Sequence, residues 1–597
     1  RFLNILFLSS LIISLIRTSA LYFARIIHSK PGLLWNVDLG FSLTHSQTVL
    51  KYGSLENSLT MGGVSEAYHI GPSYISGIIS NYFKIGIDIL SLLILPSIFL
   101  CVFVFASKLI VNKLVNNEKY ELIIPTLICF TPGIFVESPT ISTILDSNLI
   151  LNDFIYNLPF QFSTMQNSMM AGSAIMCIFY FIVKSIKENL YLIFSTSLSL
   201  YTIKPLYFVS AFCFVSLFLL LSFSTKNSLG LSEYYKNLKY IFKFKNIFFL
   251  IIILSIWFYF YKFNLKPFMD ASISFSFFID VLNDFKYFDF NFIKDILKIT
   301  FNLILNLPLI SSSIFFILLI LKLNKKFNLD KEKTFFINYS IILFIISIVL
   351  TLFSQFTPLS YIPNGDAIAI GQKMGITANK YGEVLVDENQ ATYPLYALVT
   401  IIGISSIASI LKKEDLVKFN FFIKSKNIIL SIIILLNSFY TSILIGKNNY
   451  IDNHFSRKRD EINATEYYRL IKEIPTEGSL LLSNSVEQGY YGRNFRNTYL
   501  TAFTTHDHFL ANIRDYHWRT NTSETLRRLE EYYRIFPKNI SLIGIYNPES
   551  ISVVRKNKIS HLILKKIPNE ENNASLPGLK FLNENDSWIL YQVINDK

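Results

Sequence analysis

Residues 31–74 read PGLLWNVDLGFSLTHSQTVLKYGSLENSLTMGGVSEAYHIGPSY and separate the first long hydrophobic segment from the second. The stretch holds Asp38, His45, Glu66 and His69, a dense set of ionisable side chains for so apolar a chain. Leu39, Leu43 and Leu50 recur at near-helical spacing, and Gly53 stands where a helix C-cap would fall. The pattern predicts a short helix near the membrane surface, opened by Asp38. Holding a carboxylate at a membrane edge is costly, so Asp38 becomes a functional candidate.

The rest of the chain sets that context. Of 597 residues, 51% are hydrophobic and only 16% are charged, against about 25% charged in soluble proteins. The apolar residues cluster into runs, the mark of a polytopic α-helical membrane protein. About eleven spans are expected, near residues 2–23, 86–111, 121–137, 168–185, 189–203, 205–222, 246–262, 296–321, 334–354, 394–411 and 427–446. A signal peptide is the alternative for the first, although the chain stays apolar beyond Arg17 and shows no clear small-residue cleavage site. Arg1 stands where an initiating Met would, so the natural start is expected upstream. The four cysteines all lie in apolar runs, so no disulfide framework is expected.

The net charge of +13 reads as orientation, not as nucleic-acid binding, because much of the excess falls in short alternate loops. Lys113 and Lys119 lie in one such loop, Lys184 and Lys187 in the next, and Lys412 and Lys413 in the last. These loops are expected in the cytoplasm with the N-terminus. Loops 28–85, 138–167, 263–295 and 355–393 then face outside, together with everything after 447. All the long connections bearing Pro and Asp gather on one side, which suits an enzyme at the outer face better than a transporter with a midplane site. After residue 447 aliphatic runs shorten and charge rises. Helix signals at 461–473 and 523–535 alternate with strand-like runs at 480–482, 542–545, 561–564 and 588–593. Asn521 and Glu524 have capping-box spacing. The chain is therefore expected to divide into a multi-span domain (1–446) and a small extracytoplasmic α/β domain (447–597).

Several side chains could carry chemistry, and each has a plainer use. Asp38 could act as a general base or help hold a metal, or simply cap a helix. Glu66 with His69 could form a second acidic site or contact substrate, or belong to an ordinary polar loop. His45, seven residues after Asp38, could share its helix face or pair with it by chance. Lys204, before Pro205 at a break between two spans, could meet a lipid phosphate. Lys373 lies in a loop too long for a passive connector. Arg493, with Arg496, Arg514 and Arg519, could bind an anionic acceptor or diphosphate, or form a solvated surface. His506, Asp507, His508 and His517 match no closed zinc pattern. Walker A, GxSxG, HExxH and GxGxxG motifs are all missing from the sequence, so a nucleotide-driven mechanism has no support.

The layout resembles the GT-C class of integral-membrane glycosyltransferases, which includes protein O-mannosyltransferases, aminoarabinose transferases and oligosaccharyltransferase catalytic subunits. The likeness is carried by an early acidic residue in WNVDLGFSLTHSQTVLKYG, by YHIGPSY leading toward the second span, by many short spans, and by a C-terminal external domain. The chain's end, KISHLILKK through WILYQVIN, is similar to the tails of uncharacterised bacterial members. The resemblance implies a bacterial plasma-membrane enzyme that moves a sugar from a polyprenyl-phosphate donor to a lipid, glycan or protein acceptor. Asp38 would take the acceptor proton, and Lys204, Lys373 or an arginine such as Arg493 would neutralise the leaving phosphate. A divalent metal is compatible with such enzymes. The alternatives are a transporter, flippase or polymerase of lipid-linked glycans, and a non-catalytic scaffold using its external domain.

Overall fold

The computed structural model describes residues 2–27, 29, 37–55, 57, 59, 70–115, 118–130, 166–203, 205–224, 243–264, 272–274, 309–323, 331–356, 360–362, 369, 384–385, 393–410, 464–484, 500–511, 522–536, 548–566 and 576–594. Most of them are helical. In chain order the helices of the apolar region are α1 (Phe2–Thr18), α2 (Ala20–Ile27), α3 (Val37–Tyr52), α4 (Ile70–Phe83) and the single turn α5 (Ile87–Ile89). A π-helical turn (Leu90–Ile94) runs on into α6 (Leu95–Val115). Then come α7 (Glu118–Phe130), α8 (Gln166–Ile203), α9 (Pro205–Ser224), α10 (Phe244–Asn264), α11 (Leu309–Leu323), α12 (Lys331–Phe356) and α13 (Tyr393–Ile410).

These helices fall on the predicted apolar segments. The expected spans 168–185 and 189–203 are two helices that meet within α8 at a kink at Ser185, whose backbone is extended (φ −173°, ψ 113°), next to the expected break. The stretch 70–83, predicted as part of a loop, is itself a helix, α4. Two helical segments are long and apolar enough to cross a membrane by that measure alone, Ile87–Val115 and Glu332–Thr351. The expected span 427–446 and the first part of span 296–321 lie outside the described residues.

The helices share one interior in which Phe179, Phe214, Phe218 and Tyr339 are fully buried. The Tyr339 ring stacks on Phe179 at 6.1 Å, and its hydroxyl donates to the Phe214 carbonyl at 2.9 Å. Interior serines satisfy themselves one turn back along their helices. Ser107 donates to Phe103, Ser347 to Leu343 and Ser405 to Ile401, at 2.7–2.8 Å. This arrangement places hydroxyls in an apolar interior without an unmet donor. Outside, the pattern inverts. Phe248, Ile251, Ile256 and Phe258 on α10 and Ile320 on α11 are each more than half exposed. Keeping these faces in water would be costly, whereas lipid accommodates them.

Two sheets complete the fold. Short strands β1 (Ser272–Ser274), β2 (Ser360–Ile362) and β3 (Val384–Leu385) pair antiparallel, so parts of two loops expected on the same face are joined. The C-terminal region holds α14 (Thr465–Ile471), β4 (Leu480–Ser483), β5 (Asp507–His508), α15 (Thr522–Ile535), α16 (Pro548–Lys556), β6 (His561–Lys565), β7 (Leu579–Glu584) and β8 (Trp588–Val593). The five strands are ordered β5-β4-β6-β8-β7, with β4 parallel to β5 and β6 and the rest antiparallel. Both faces of the central strands are buried, and their side chains divide by strict alternation. Leu482, Leu562, Leu564, Ile589 and Tyr591 face α15 and α16. Leu481, Ile563, Trp588 and Leu590 face a second cluster with Tyr467 and Ile471 of α14, joined by Leu43 of α3, Ile87 and Leu92. That second cluster docks the α/β region onto the start of the bundle.

Candidate functional site

The helix predicted around Asp38 is α3, and Asp38 is its second residue. A carboxylate in a first helical turn complements the positive end of the helix dipole. The helix ends where predicted, at Gly53, whose φ of +72° is the left-handed geometry that favours glycine, and whose N–H returns to the Val49 carbonyl at 2.8 Å.

The prediction missed how completely α3 is enclosed. Ser42, Thr44, His45, Ser46 and Thr48 are all buried, so the helix is an internal strut and not one lying on a surface. On one side it packs on α4. Gly77 comes so near that a Cβ there would stand 2.6 Å from the Val49 side chain, and Ser73 donates to the Ser42 carbonyl at 3.3 Å. On the other side it meets the α/β region. The Thr44 and Thr501 hydroxyls lie 2.8 Å apart, and Leu43 enters the sheet-side core.

The C-terminal end of α3 is locked by charge. Lys51 Nζ is 2.8 Å from Asp507 Oδ2 and 3.3 Å from the Thr476 carbonyl, and the Tyr52 hydroxyl donates to Asp507 Oδ1 at 2.6 Å. Burial first, and then the bond to Asp507, hold the Tyr52 phenol above its ordinary pKa. Just beyond Asp507 the first loop continues along the sheet, where the His508 N–H donates to the Leu59 carbonyl at 2.8 Å. A second tie lies beside the first. The Arg25 guanidinium sits 4.2 Å over the Phe503 ring and 3.6 Å from Asp88. Elements from the first 90 residues and from the last 130 therefore form one wall, with Asp38 at one end of its helix and the Lys51–Asp507 lock at the other.

The histidines of the HDH sequence are structural. His506 Nε2 pairs with the Ile474 carbonyl at 2.8 Å, and His508 Nε2 pairs with the Tyr467 hydroxyl at 2.7 Å. Burial lowers the pKa of both, that of His508 to about 3, with charge on the His506 ring also unfavourable to a charged His508. Among the described residues no group of three His, Cys, Asp or Glu side chains is placed to hold a metal ion. Of the predicted candidates, Asp38 and His45 fall in α3, and His506, Asp507 and His508 lie in or beside β5. Glu66, His69, Lys204, Lys373 and Arg493 lie outside the described residues. Thr44, Lys51 and Thr501, which the prediction missed, and the pairing of Asp507 with Lys51 announce themselves by no local pattern, because each partner lies more than 450 residues away.

Comparison with known proteins adds little to this geometry. No family model matches the chain, and no curated protein matches it. Among solved structures, the archaeal oligosaccharyltransferase AglB from Archaeoglobus fulgidus, in complex with an inhibitory peptide and a dolichol-phosphate, aligns at 12% identity over 94% of this chain and 69% of that one. The TM-score is 0.34, too low for any residue to be carried across.

Proposed function

We propose that this protein is a membrane glycosyltransferase acting at the face built by α3 and the C-terminal α/β region. The single observation that carries the reading is the fixing of α3. A helix that begins with a candidate carboxylate is gripped on one side by α4 and on the other by Thr501 and Asp507. A scaffold or tether has no need to hold one such helix on both sides, whereas catalysis gains from a carboxylate set on a rigid element.

In this reading the donor is a sugar on a polyprenyl phosphate and the acceptor carries a hydroxyl or amide. The acceptor atom bonds to the sugar's anomeric carbon as the bond from that carbon to the phosphate oxygen breaks. The electron pair leaves with the phosphate, and the Asp38 carboxylate takes the acceptor proton. The departing phosphate gains charge, so a fixed cation beside it lowers the barrier. Lys204, Lys373 and Arg493 are the sequence's candidates for that role, and Glu66 with His69 for contacting substrate.

The test compares wild type with Asp38→Asn in membranes supplied with a panel of polyprenyl-phosphate sugars. Removing a general base costs on the order of 10²–10⁴-fold in rate. Release of lipid phosphate by wild type should fall by that factor in a folded variant. Unchanged release would remove Asp38 from the chemistry, and no release by either protein with any donor would favour a transporter or scaffold.

A further inference from the structure

The end of the bundle far from the α/β region carries a feature that glycosyl transfer at the other face does not use. A cavity of about 650 Å³ opens between the end of α6, the middle of α8, the start of α12 and the end of α13. Lys113, Lys184 and Lys333 line it, and among the described residues Glu332 is the one carboxylate in the lining. The described lining side chains therefore carry three cations against one anion. A neighbouring lysine on α6, Lys108, pairs with Glu121 at 3.2 Å.

Position distinguishes this cavity from the α3 wall. Asp88, beside Arg25, and Lys113, in the cavity, lie near opposite ends of the single helical segment Ile87–Val115. At about 1.5 Å per residue they are roughly 40 Å apart along the axis, enough to put them on opposite membrane faces. The lysine-bearing end is the one whose loops the charge bias assigns to the cytoplasm.

The lining is graded. Ser406 and Ser409 form a buried polar floor, their hydroxyls donating back along α13 at 2.8 Å. Leu109 of the lining is 43% exposed, and on the two turns before it Val102 and Phe105 are exposed and apolar too. Polar floor, lysine walls and an apolar lip match a phosphate group whose carrier extends into lipid.

We propose that this cavity binds an anionic phosphate group, carried either by a phospholipid headgroup or free in solution. Lys113 and Lys184 supply attraction, and Glu332 tempers it.

The experiment uses the full chain purified in detergent and titrated, by native mass spectrometry, with phosphatidylglycerol, phosphatidylcholine and inorganic phosphate. Phosphatidylglycerol should bind at least 10-fold more tightly than phosphatidylcholine, and Lys113→Gln with Lys184→Gln should remove that preference. Glu332→Gln should tighten binding several-fold, a gain that misfolding cannot mimic. Lysine-dependent binding of inorganic phosphate as well would identify the free ion as a ligand, and its lack would assign the site to the lipid headgroup. Either supports the site. Equal affinity for the two lipids, or affinity for phosphatidylglycerol and phosphate indifferent to all three substitutions, would overturn it.

Discussion

The residue with the clearest energetic signature is His508. Its ring is fully buried between the Tyr467 hydroxyl and the backbone of His506, with Lys51, Asp507 and His506 as the charged or titratable groups around it. Burial lowers its pKa from 6.5 to about 3 in the folded protein. Between those values the unfolded chain binds a proton that the folded chain refuses, so stability rises with pH. The contribution is complete above 6.5 and is lost as pH falls toward 3, by at most about 1.4 kcal/mol per pH unit. Hydrogen exchange at β4 and β6, corrected for the intrinsic pH dependence, should therefore accelerate below pH 6.5, and His508→Gln should flatten that slope. An unchanged slope would place the acid sensitivity elsewhere, with His506 and His561 the next candidates, since burial lowers both. None of this was legible in the sequence. The spacing HDH invites a metal reading, and only partners at Leu59, Tyr467 and Ile474 reveal histidines used as buried hydrogen-bonding groups.

At the scale of elements, α3 was legible and α4 was not. Leucine spacing and Gly53 mark α3 from within, because a helix cap and a periodic face are local properties. Helix α4 carries Gly71, Pro72 and Gly77, which read locally as breakers. Pro72 sits in the first turn, where the missing N–H costs nothing. Gly71 and Gly77 are explained only by what lies against them, Ile203 and Val49, at 2.9 Å and 2.6 Å from where a Cβ would be. Gly77→Val should thus push α3 and α4 apart. Overpacking of this kind typically costs about 1–3 kcal/mol, and the cost should appear as a lowered thermal midpoint in detergent, with release of phosphate reduced because the helix bearing Asp38 moves. A variant of unaltered midpoint would show that the two helices are not in close contact. In the C-terminal region, β4, β6, β8, α14 and α15 follow the predicted runs. Asn521 of the expected capping box lies outside the described residues, and the Glu524 carboxylate accepts from Arg527 and Arg528. The hydrogen bond from Arg527 first, and then that from Arg528, holds its pKa down, at about 2, against the cost of burial. Asn585, in a sequence context for N-glycosylation, instead spends its side chain on the turn before β8, donating to the Glu466 carbonyl and accepting from Ser587 and Trp588.

For the whole molecule, hydropathy was informative and sidedness was inferred. The apolar runs became helices because intrachain hydrogen bonding and burial of Phe, Ile and Leu are satisfied together in that form. Their outward Phe and Ile side chains suit lipid. What no run could disclose is that the chain's two ends meet. The docking of α3 and the Arg25–Asp88 pair onto residues 501–508 joins segments more than 400 residues apart, and builds one elaborated face at the end of the bundle away from the basic cavity. The account's central claim is that sugar transfer occurs at the elaborated face. The most direct measurement reconstitutes the full chain into sealed liposomes, sorts the two orientations by protease access to the C-terminal region, and adds a water-soluble short-chain polyprenyl-phosphate sugar from outside. Vesicles with the α/β region outward should release the lipid phosphate, while inverted vesicles should do so only after permeabilisation. Release confined to the inverted vesicles would place the chemistry at the lysine-lined end and contradict the account.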